Sequence, residues 1–178
     1  MVVLFLADGF EEIEALCPLD LLRRAGVETV TVGLGKTEIS GAHGITVQAD
    51  TDTLPEGDFD MVILPGGMPG AANLDASDTV TQALARTHAK GGYLAAICAA
   101  PMVLGHRGYL NGKRAVCFPG FESELTGATV ATDEFVVRDG NIITAKGMGV
   151  ALEFGLALVA ALRGEDTATQ LRAAVMAH

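Results

Sequence analysis

The chain has 178 residues, long enough for one domain with a full core and too short for two comfortable ones. Its net charge of −10, with no Lys/Arg stripe, excludes nucleic acid and anionic membrane surfaces as partners, and seven Phe, two Tyr and no Trp leave no stacking platform for single strands. Hydrophobic residues make up 49% of the chain, yet no apolar run is long enough to span a bilayer, so the excess belongs in a core or an oligomer interface.

The N-terminal run Met1-Val2-Val3-Leu4-Phe5-Leu6 lacks a basic leader and is followed at once by Asp8, Glu11, Glu12 and Glu14. It therefore reads as a first strand over 2–7 rather than as an export signal. A helix is expected over 11–24, a strand over 29–34, and a small β excursion within 38–53. A strand over 61–64, a helix over 80–89, a strand over 93–97 and a helix over 101–107 come next. An apolar run over 115–118 reads as a further strand. Residues 129–137 and 142–144, joined by Arg138-Asp139-Gly140-Asn141, read as a hairpin, because Asp-Gly is a strong turn signal. The second arm belongs to a strand over 142–145, and helices over 149–162 and 168–177 follow.

Several of these strands are continuous apolar runs, as parallel strands covered on both faces are. Strands alternating with helices predict a doubly wound α/β sandwich, a single domain over 1–178, with ligands at the C-terminal edge of the sheet. There is no internal repeat, low-complexity tract or linker. Three cysteines with no close pairing and no export signal point to a reducing, cytoplasmic setting.

Cys98 carries the most chemical information. It lies where the apolar strand Tyr93-Leu94-Ala95-Ala96-Ile97 gives way to a helix signalled by Pro101 in its first turn. A sharp strand-to-helix turn exposes the side chain, and the N–H groups and positive dipole end of a helix favour a thiolate. The alternative is a structural cysteine buried like most free thiols. Two other strand ends meet the same rim of a doubly wound sheet: Asp8-Gly9-Phe10-Glu11-Glu12-Ile13-Glu14 and Pro65-Gly66-Gly67. Glu14 shares a helical stripe with Cys17, Leu21 and Ala25, which places it on an apolar face, whereas Glu11 and Glu12 read as ordinary first-turn acids. A desolvated Glu14 beside a thiolate would be protonated, able to donate to Cys98 and to act as general acid or base. The alternative is a boundary residue whose carboxylate reaches water. The amides of Gly66, Gly67 and Ala99 are candidates for an oxyanion hole, though a double glycine is most often just a turn.

Two patterns are set aside. Gly35-Lys36-Thr37 ends like a phosphate-binding loop, but Val30 stands where that motif needs its first glycine. Cys17, Cys98, Cys117, His43, His88, His106 and His178 show no metal-ligand spacing, so no metal is expected. Cys17 reads as core, His88 and His106 as exposed helix ends, and Cys117 as a possible pocket lining without an activator.

Ala7-Asp8-Gly9-Phe10-Glu11-Glu12-Ile13-Glu14, Leu64-Pro65-Gly66-Gly67, Ala95-Ala96-Ile97-Cys98-Ala99-Ala100-Pro101 and Thr144-Ala145-Lys146-Gly147 together resemble the ThiJ/PfpI superfamily. Within it they resemble the branch of the human parkinsonism-associated protein and its bacterial relatives, over essentially the whole chain. The resemblance implies a flavodoxin-like, class I glutamine amidotransferase-like three-layer sandwich, a homodimer and no cofactor. It also implies a redox-sensitive Cys98 with protonated Glu14 as its partner and the amides of Gly67 and Ala99 around it. Three departures bear on function. Ala99 stands where peptidase-type members place a histidine directly after the nucleophile. Phe118 occupies the position of a candidate histidine base. His43 aligns with a loop that reaches the partner subunit's pocket, where it would supply a polar group in trans; an exposed loop histidine is the plain alternative.

Two functions from different classes use these residues. One is a cofactor-free, glutathione-independent glyoxalase acting on methylglyoxal and other α-oxoaldehydes in stress protection, with deglycase activity as a variant on the same thiol. The other is a non-enzymatic oxidative-stress sensor or redox-regulated chaperone in which Cys98 is oxidised to the sulfinic acid. A cysteine peptidase or amidotransferase is disfavoured by the lack of a Cys-His pairing.

Overall fold

A computed structural model describes residues 1–177. In chain order the elements are β1 (Val2–Leu6), α1 (Glu12–Arg24), β2 (Thr29–Gly33), β3 (Glu38–Ser40), β4 (Thr46–Gln48), β5 (Met61–Leu64), α2 (Gly70–Asp75), α3 (Asp78–Ala89) and β6 (Tyr93–Ile97). There follow α4 (Pro101–His106), β7 (Arg114–Ala115), β8 (Thr129–Val130), β9 (Val136–Asp139), β10 (Ile142–Ala145), α5 (Ala151–Arg163) and α6 (Glu165–Ala174). The main sheet has six strands in the order β2-β1-β5-β6-β10-β9, parallel except for β9.

Every residue of β1, β5 and β10 is buried, which is why their sequences are apolar without alternation. The period of two is still there, hidden in which layer each side chain joins. Val3 and Phe5 of β1 pack with Val80, Leu84, Val103 and Leu104 from α3 and α4. Val2, Leu4 and Leu6 pack with Ala15, Leu22, Phe154 and Leu158 from α1 and α5, beneath α6. Helices thus cover both faces, and the molecule is the expected three-layer α/β sandwich. No helix among the described residues is long and apolar enough to cross a membrane.

The sheet order sets where chemistry can occur. From β1 the chain steps outward to β2, then returns to the other side of β1 to lay down β5 and β6. The reversal leaves a crevice at the C-terminal ends of β1 and β5, the place where doubly wound sheets bind ligands.

Three expectations change. The run over 115–118 is not a strand of the main sheet: only Arg114–Ala115 forms a strand, paired with Thr129–Val130. Two of its remaining amides have other acceptors: Val116 N–H donates to Thr144 Oγ1 (2.9 Å) and Phe118 N–H to the Cys98 carbonyl (2.9 Å). The hairpin is shorter than its expected 129–137 arm, pairing Val136–Asp139 with Ile142–Ala145, because 129–130 is committed to β7. Helix α2 is additional; its six residues are too few to show a helical period. The β excursion within 38–53 is the two-stranded sheet β3-β4.

Helix α4, which leads away from Cys98, is seated by backbone contact. A Cβ at Gly105 would lie 2.3 Å from the Glu124 carbonyl oxygen and 3.0 Å from the Thr126 nitrogen. Alanine is ordinarily better than glycine in a helix by about 1 kcal/mol. Here the clash reverses the sign, and Gly105→Ala is expected to destabilise the protein by about 1–3 kcal/mol in urea unfolding. A raised midpoint for the variant would refute the close approach.

Candidate active site around Cys98 and Glu14

Cys98 sits at the end of β6 with φ of 65°, a left-handed backbone conformation that is uncommon for a residue with a side chain. Its N–H is held by the Ala145 carbonyl (2.9 Å) and its carbonyl by Phe118 N–H. Both backbone groups are therefore clamped by neighbouring chain, and the turn forces the half-buried thiol out of the sheet at the rim. The expected elbow is present.

Glu14 reaches the same point from α1. Its residue is 1% exposed, in agreement with the apolar stripe. The carboxyl hydrogen-bonds the Cys98 thiol, accepts the Gly66 N–H at 3.0 Å on Oε2, and accepts the Met148 N–H. The site thus joins residues 14, 66 and 98 from the ends of three adjacent strands. Position 66 must be glycine for this meeting to occur: a Cβ there would lie 2.6 Å from the Cys98 Cβ and 2.6 Å from Glu14 Oε2.

The glycine pair divides its work differently from expectation. The Gly66 amide is committed to Glu14, whereas the amides of Gly67 and Ala99 both point at the Cys98 sulfur. Gly67 reaches that position with φ of 85°, and a Cβ on it would meet the Glu11 nitrogen at 2.4 Å. Only glycine satisfies both demands.

Electrostatics correct one expectation. The elbow and the helix end do not by themselves lower the thiol. Burial pushes Cys98 up to about 12, with further upward pressure from the Glu14 carboxylate beside it, and the Gly67 and Ala99 amides offset only part of this. Burial likewise raises Glu14 to about 7, aided by the charge of Glu11 and resisted by its hydrogen-bond donors. Two groups coupled this closely titrate as one system. Once the first proton has left near neutrality, a single proton remains between carboxyl and sulfur. When it sits on Glu14, the repulsion that holds the thiol up is gone and the same contact stabilises the thiolate.

Glu11 and Glu12 are not ordinary surface acids. Glu11 is the N-cap of α1, its Oε2 accepting the Glu14 N–H at 2.8 Å, so it positions Glu14 directly. Glu12, also buried, ties down the 41–45 loop: its Oε1 accepts the His43 N–H (2.7 Å), and its Oε2 meets His43 Nδ1 at 2.9 Å. His43 is 68% exposed in its side chain and, within one chain, lines a shallow cleft with Ile13, Ile45 and Met148 rather than joining Cys98. The Glu12 carboxylate raises its pKa. Glu11, Glu12 and His43 each have one ligand-type atom within 4.8 Å of the others', a cluster invisible to sequence spacing because His43 is remote.

Phe118 is half-exposed and sits beside the pair, its ring 3.1 Å from where a Cβ on Gly147 would lie. Cys117 is buried in the core and its thiol is pushed up to about 11, chiefly by that burial; it does not line the cleft beside Phe118. Cys17 is half-buried, its pKa also raised by burial. His88 is exposed and meets the Tyr109 ring in a tilted contact, whereas His106 bridges Asp75 (2.8 Å) and Glu124 (2.9 Å) and is more than an exposed helix end. His178 lies outside the described residues. Sequence reasoning missed the Met148 amide and the N-cap role of Glu11. The Lys146-Gly147 motif pointed at the first, and the Glu11–Glu14 spacing of three at the second.

The model of the DJ-1/PfpI family matches residues 1–161. The "Parkinson disease protein 7 homolog" of Danio rerio is 35% identical over 181 residues, covering 96% of this chain and 94% of the relative. The "Glutathione-independent glyoxalase DJR-1.2" of Caenorhabditis elegans is 31% identical over 173 residues, covering 96% and 92%. Among solved structures, Drosophila melanogaster DJ-1beta superposes with a TM-score of 0.92 at 32% identity, covering 99% of this chain and 97% of that one. A cysteine-to-alanine mutant of a DJ-1 superfamily protein from Salmonella typhimurium gives 0.91 at 34% identity, covering 99% and 98%. With a family model matching most of its length and relatives above 30% identity end to end, this chain belongs to the DJ-1/PfpI family.

Proposed function

We propose that the protein is a cofactor-free, glutathione-independent glyoxalase for small α-oxoaldehydes such as methylglyoxal. The observation that carries this reading is the buried Glu14 carboxyl bonded to the Cys98 thiol, with two amides aimed at the sulfur. A relative bearing the name glutathione-independent glyoxalase supports it at the level of the family.

The reaction balances without an external oxidant. The Cys98 thiolate adds to the aldehyde carbon, forming a C–S bond as the C=O electron pair moves to oxygen. The Gly67 and Ala99 amides, already directed at sulfur, are next to that oxyanion. Glu14 delivers its proton to the adduct, then takes the proton from the former aldehyde carbon and returns it to the neighbouring carbon through an enediol. The first carbon is oxidised to a thioester as the second is reduced to an alcohol. Water cleaves the thioester, releasing lactate from methylglyoxal and restoring the thiol. Release of glycated amines would begin from the same thiol.

A second reading is favoured by the same donors. Two amides and a protonatable carboxyl around one sulfur would also hold the oxygens of a sulfinic acid, and a solved relative is described as "Toxoplasma gondii DJ-1, oxidized". In that role the protein reports oxidative stress without turnover.

Lactate formation from methylglyoxal without glutathione, wild type against Cys98→Ser, tests the first reading. Turnover lost by at least a hundredfold in the variant is expected, on the scale of removing a covalent nucleophile, and equal rates would sink it. For the proton pair, the rate of Cys98 alkylation should rise through pH about 7 in the wild type, as the first proton leaves. In Glu14→Gln that step should vanish, leaving one titration set by burial and the amides; superimposable profiles would show that Glu14 is not the partner. Under limiting peroxide, Cys98 should reach the sulfinate before Cys17 or Cys117 by peptide mass spectrometry, and the reverse order would remove the sensor reading.

A further inference from the structure

Beside the Cys98–Glu14 pair lies a cleft of about 340 Å³ lined by Phe118, Pro119, Phe135, Lys146, Met148 and Val150, together with Gly147 and Gly149. It is almost entirely apolar. Three of its side chains are large hydrophobics left open to solvent: Phe118 is 46% exposed, Phe135 61% and Met148 53%. Aromatic and methionine side chains grouped around a concave surface are what a ligand's apolar part requires, and the volume is of the order that small-molecule sites have.

The walls of the cleft are continuous with the groups that hold the reacting atoms. Phe118 N–H donates to the Cys98 carbonyl, so the ring at 118 is carried by the elbow itself. Met148, another of the lining residues, donates its N–H to Glu14. Between them Gly147 leaves a gap: a Cβ there would be 3.1 Å from the Phe118 ring and 4.0 Å from Glu14 Oε1. Any side chain at 147 would stand between the apolar cleft and the carboxyl. Lys146 sets the rim, its ammonium 5.3 Å from the centroid of the Phe135 ring and hydrogen-bonded to the Thr132 carbonyl at 2.6 Å. That contact fixes the Phe135 ring as a wall.

We propose that this cleft is a specificity subsite for an aryl or branched-alkyl substituent on the ketone carbon of the α-oxoaldehyde, with Phe118 and Phe135 as its determinants. The proposal rests on the glyoxalase reading for the identity of the substrate, but the subsite acts on any electrophile that reaches Cys98. A methyl group leaves most of the cleft unfilled. A phenyl ring packs against the Phe118 and Phe135 side chains that line it and removes apolar surface from water, so bulky oxoaldehydes are preferred to methylglyoxal.

The test separates the two ideas by using reagents that need no turnover. Bromoacetone and phenacyl bromide alkylate thiols through the same displacement and differ in carrying a methyl or a phenyl group. Their rates at Cys98, followed on its peptide by mass spectrometry and divided by their rates with a small free thiol, give a normalised preference. About tenfold in favour of phenacyl bromide is expected in the wild type, the scale of an occupied apolar pocket. Phe118→Ala should bring it to within about twofold of the free thiol, and Phe118→Leu should keep part of it. In turnover, the ratio of kcat/KM for phenylglyoxal to that for methylglyoxal should fall in parallel, through KM more than kcat. A wild type with no normalised preference, as when another copy of the chain covers the cleft, overturns the subsite, and so does a preference that survives both Phe118→Ala and Phe135→Ala. A clear preference without turnover of either aldehyde keeps the subsite and removes the glyoxalase reading; methylglyoxal turnover without a preference does the opposite.

Discussion

A glutamate residue 1% exposed to water, with its carboxyl in contact with a thiol, has few stable options. Ionised and alone it would carry a large desolvation cost, so it must either hold a proton or collect donors. Glu14 does both: Gly66, Met148 and the Cys98 thiol surround it, and burial keeps its pKa near neutrality. This arrangement weakens the fold as pH rises. A carboxyl that titrates higher in the folded chain than in the unfolded one binds more protons when folded, so its contribution falls as pH climbs from the usual value of 4.5 to about 7. The protein tolerates that loss where an exchangeable proton lies beside the Cys98 sulfur.

The rest of the architecture can be understood as what is needed to hold this contact. Glu14 has to enter from the helix after β1, Gly66 from the loop after β5 and Cys98 from the turn after β6, and these strands are neighbours only because the sheet reverses direction at β1. Close approach then removes side chains. Positions 66, 67 and 147 are glycine, with the Cys98 Cβ, the Glu11 backbone and the Phe118 ring occupying the space a Cβ would need. Hydrogen bonds then fix both partners: the Ala145 and Phe118 backbone clamps the elbow, and the Glu11 side chain caps the helix that carries Glu14. Rigid elements of this kind are what keep a reacting pair in register.

Much of this was legible in the chain, for physical reasons that can be named. Fully buried parallel strands leave continuous apolar runs, and a thiol between such a run and a proline-started helix has only one rim to occupy. Glu14 was identifiable because its helical neighbours at 17, 21 and 25 are apolar or small. What could not be seen depends on partners distant in sequence. Glu12 looks solvated until the 41–45 loop folds over it. The 115–118 run has the composition of a sheet strand, yet the amides of Val116 and Phe118 bond to a threonine side chain and to the elbow. How far a helix end lowers the thiol was not legible locally, because the burial that pushes it up comes only with the completed fold.

The backbone at position 98 has one more consequence. A φ of 65° is a conformation glycine adopts freely, while a residue with a side chain held there costs of order 1–3 kcal/mol. Folding and chemistry therefore ask for different residues at the same place. Mutational drift under selection for stability alone would be drawn towards glycine at 98 and would erase the thiol with no harm to the scaffold. A reactive side chain in a strained turn is thus a cost in stability, and a form of this fold freed from the chemistry could relax its elbow before any other part of the molecule changed.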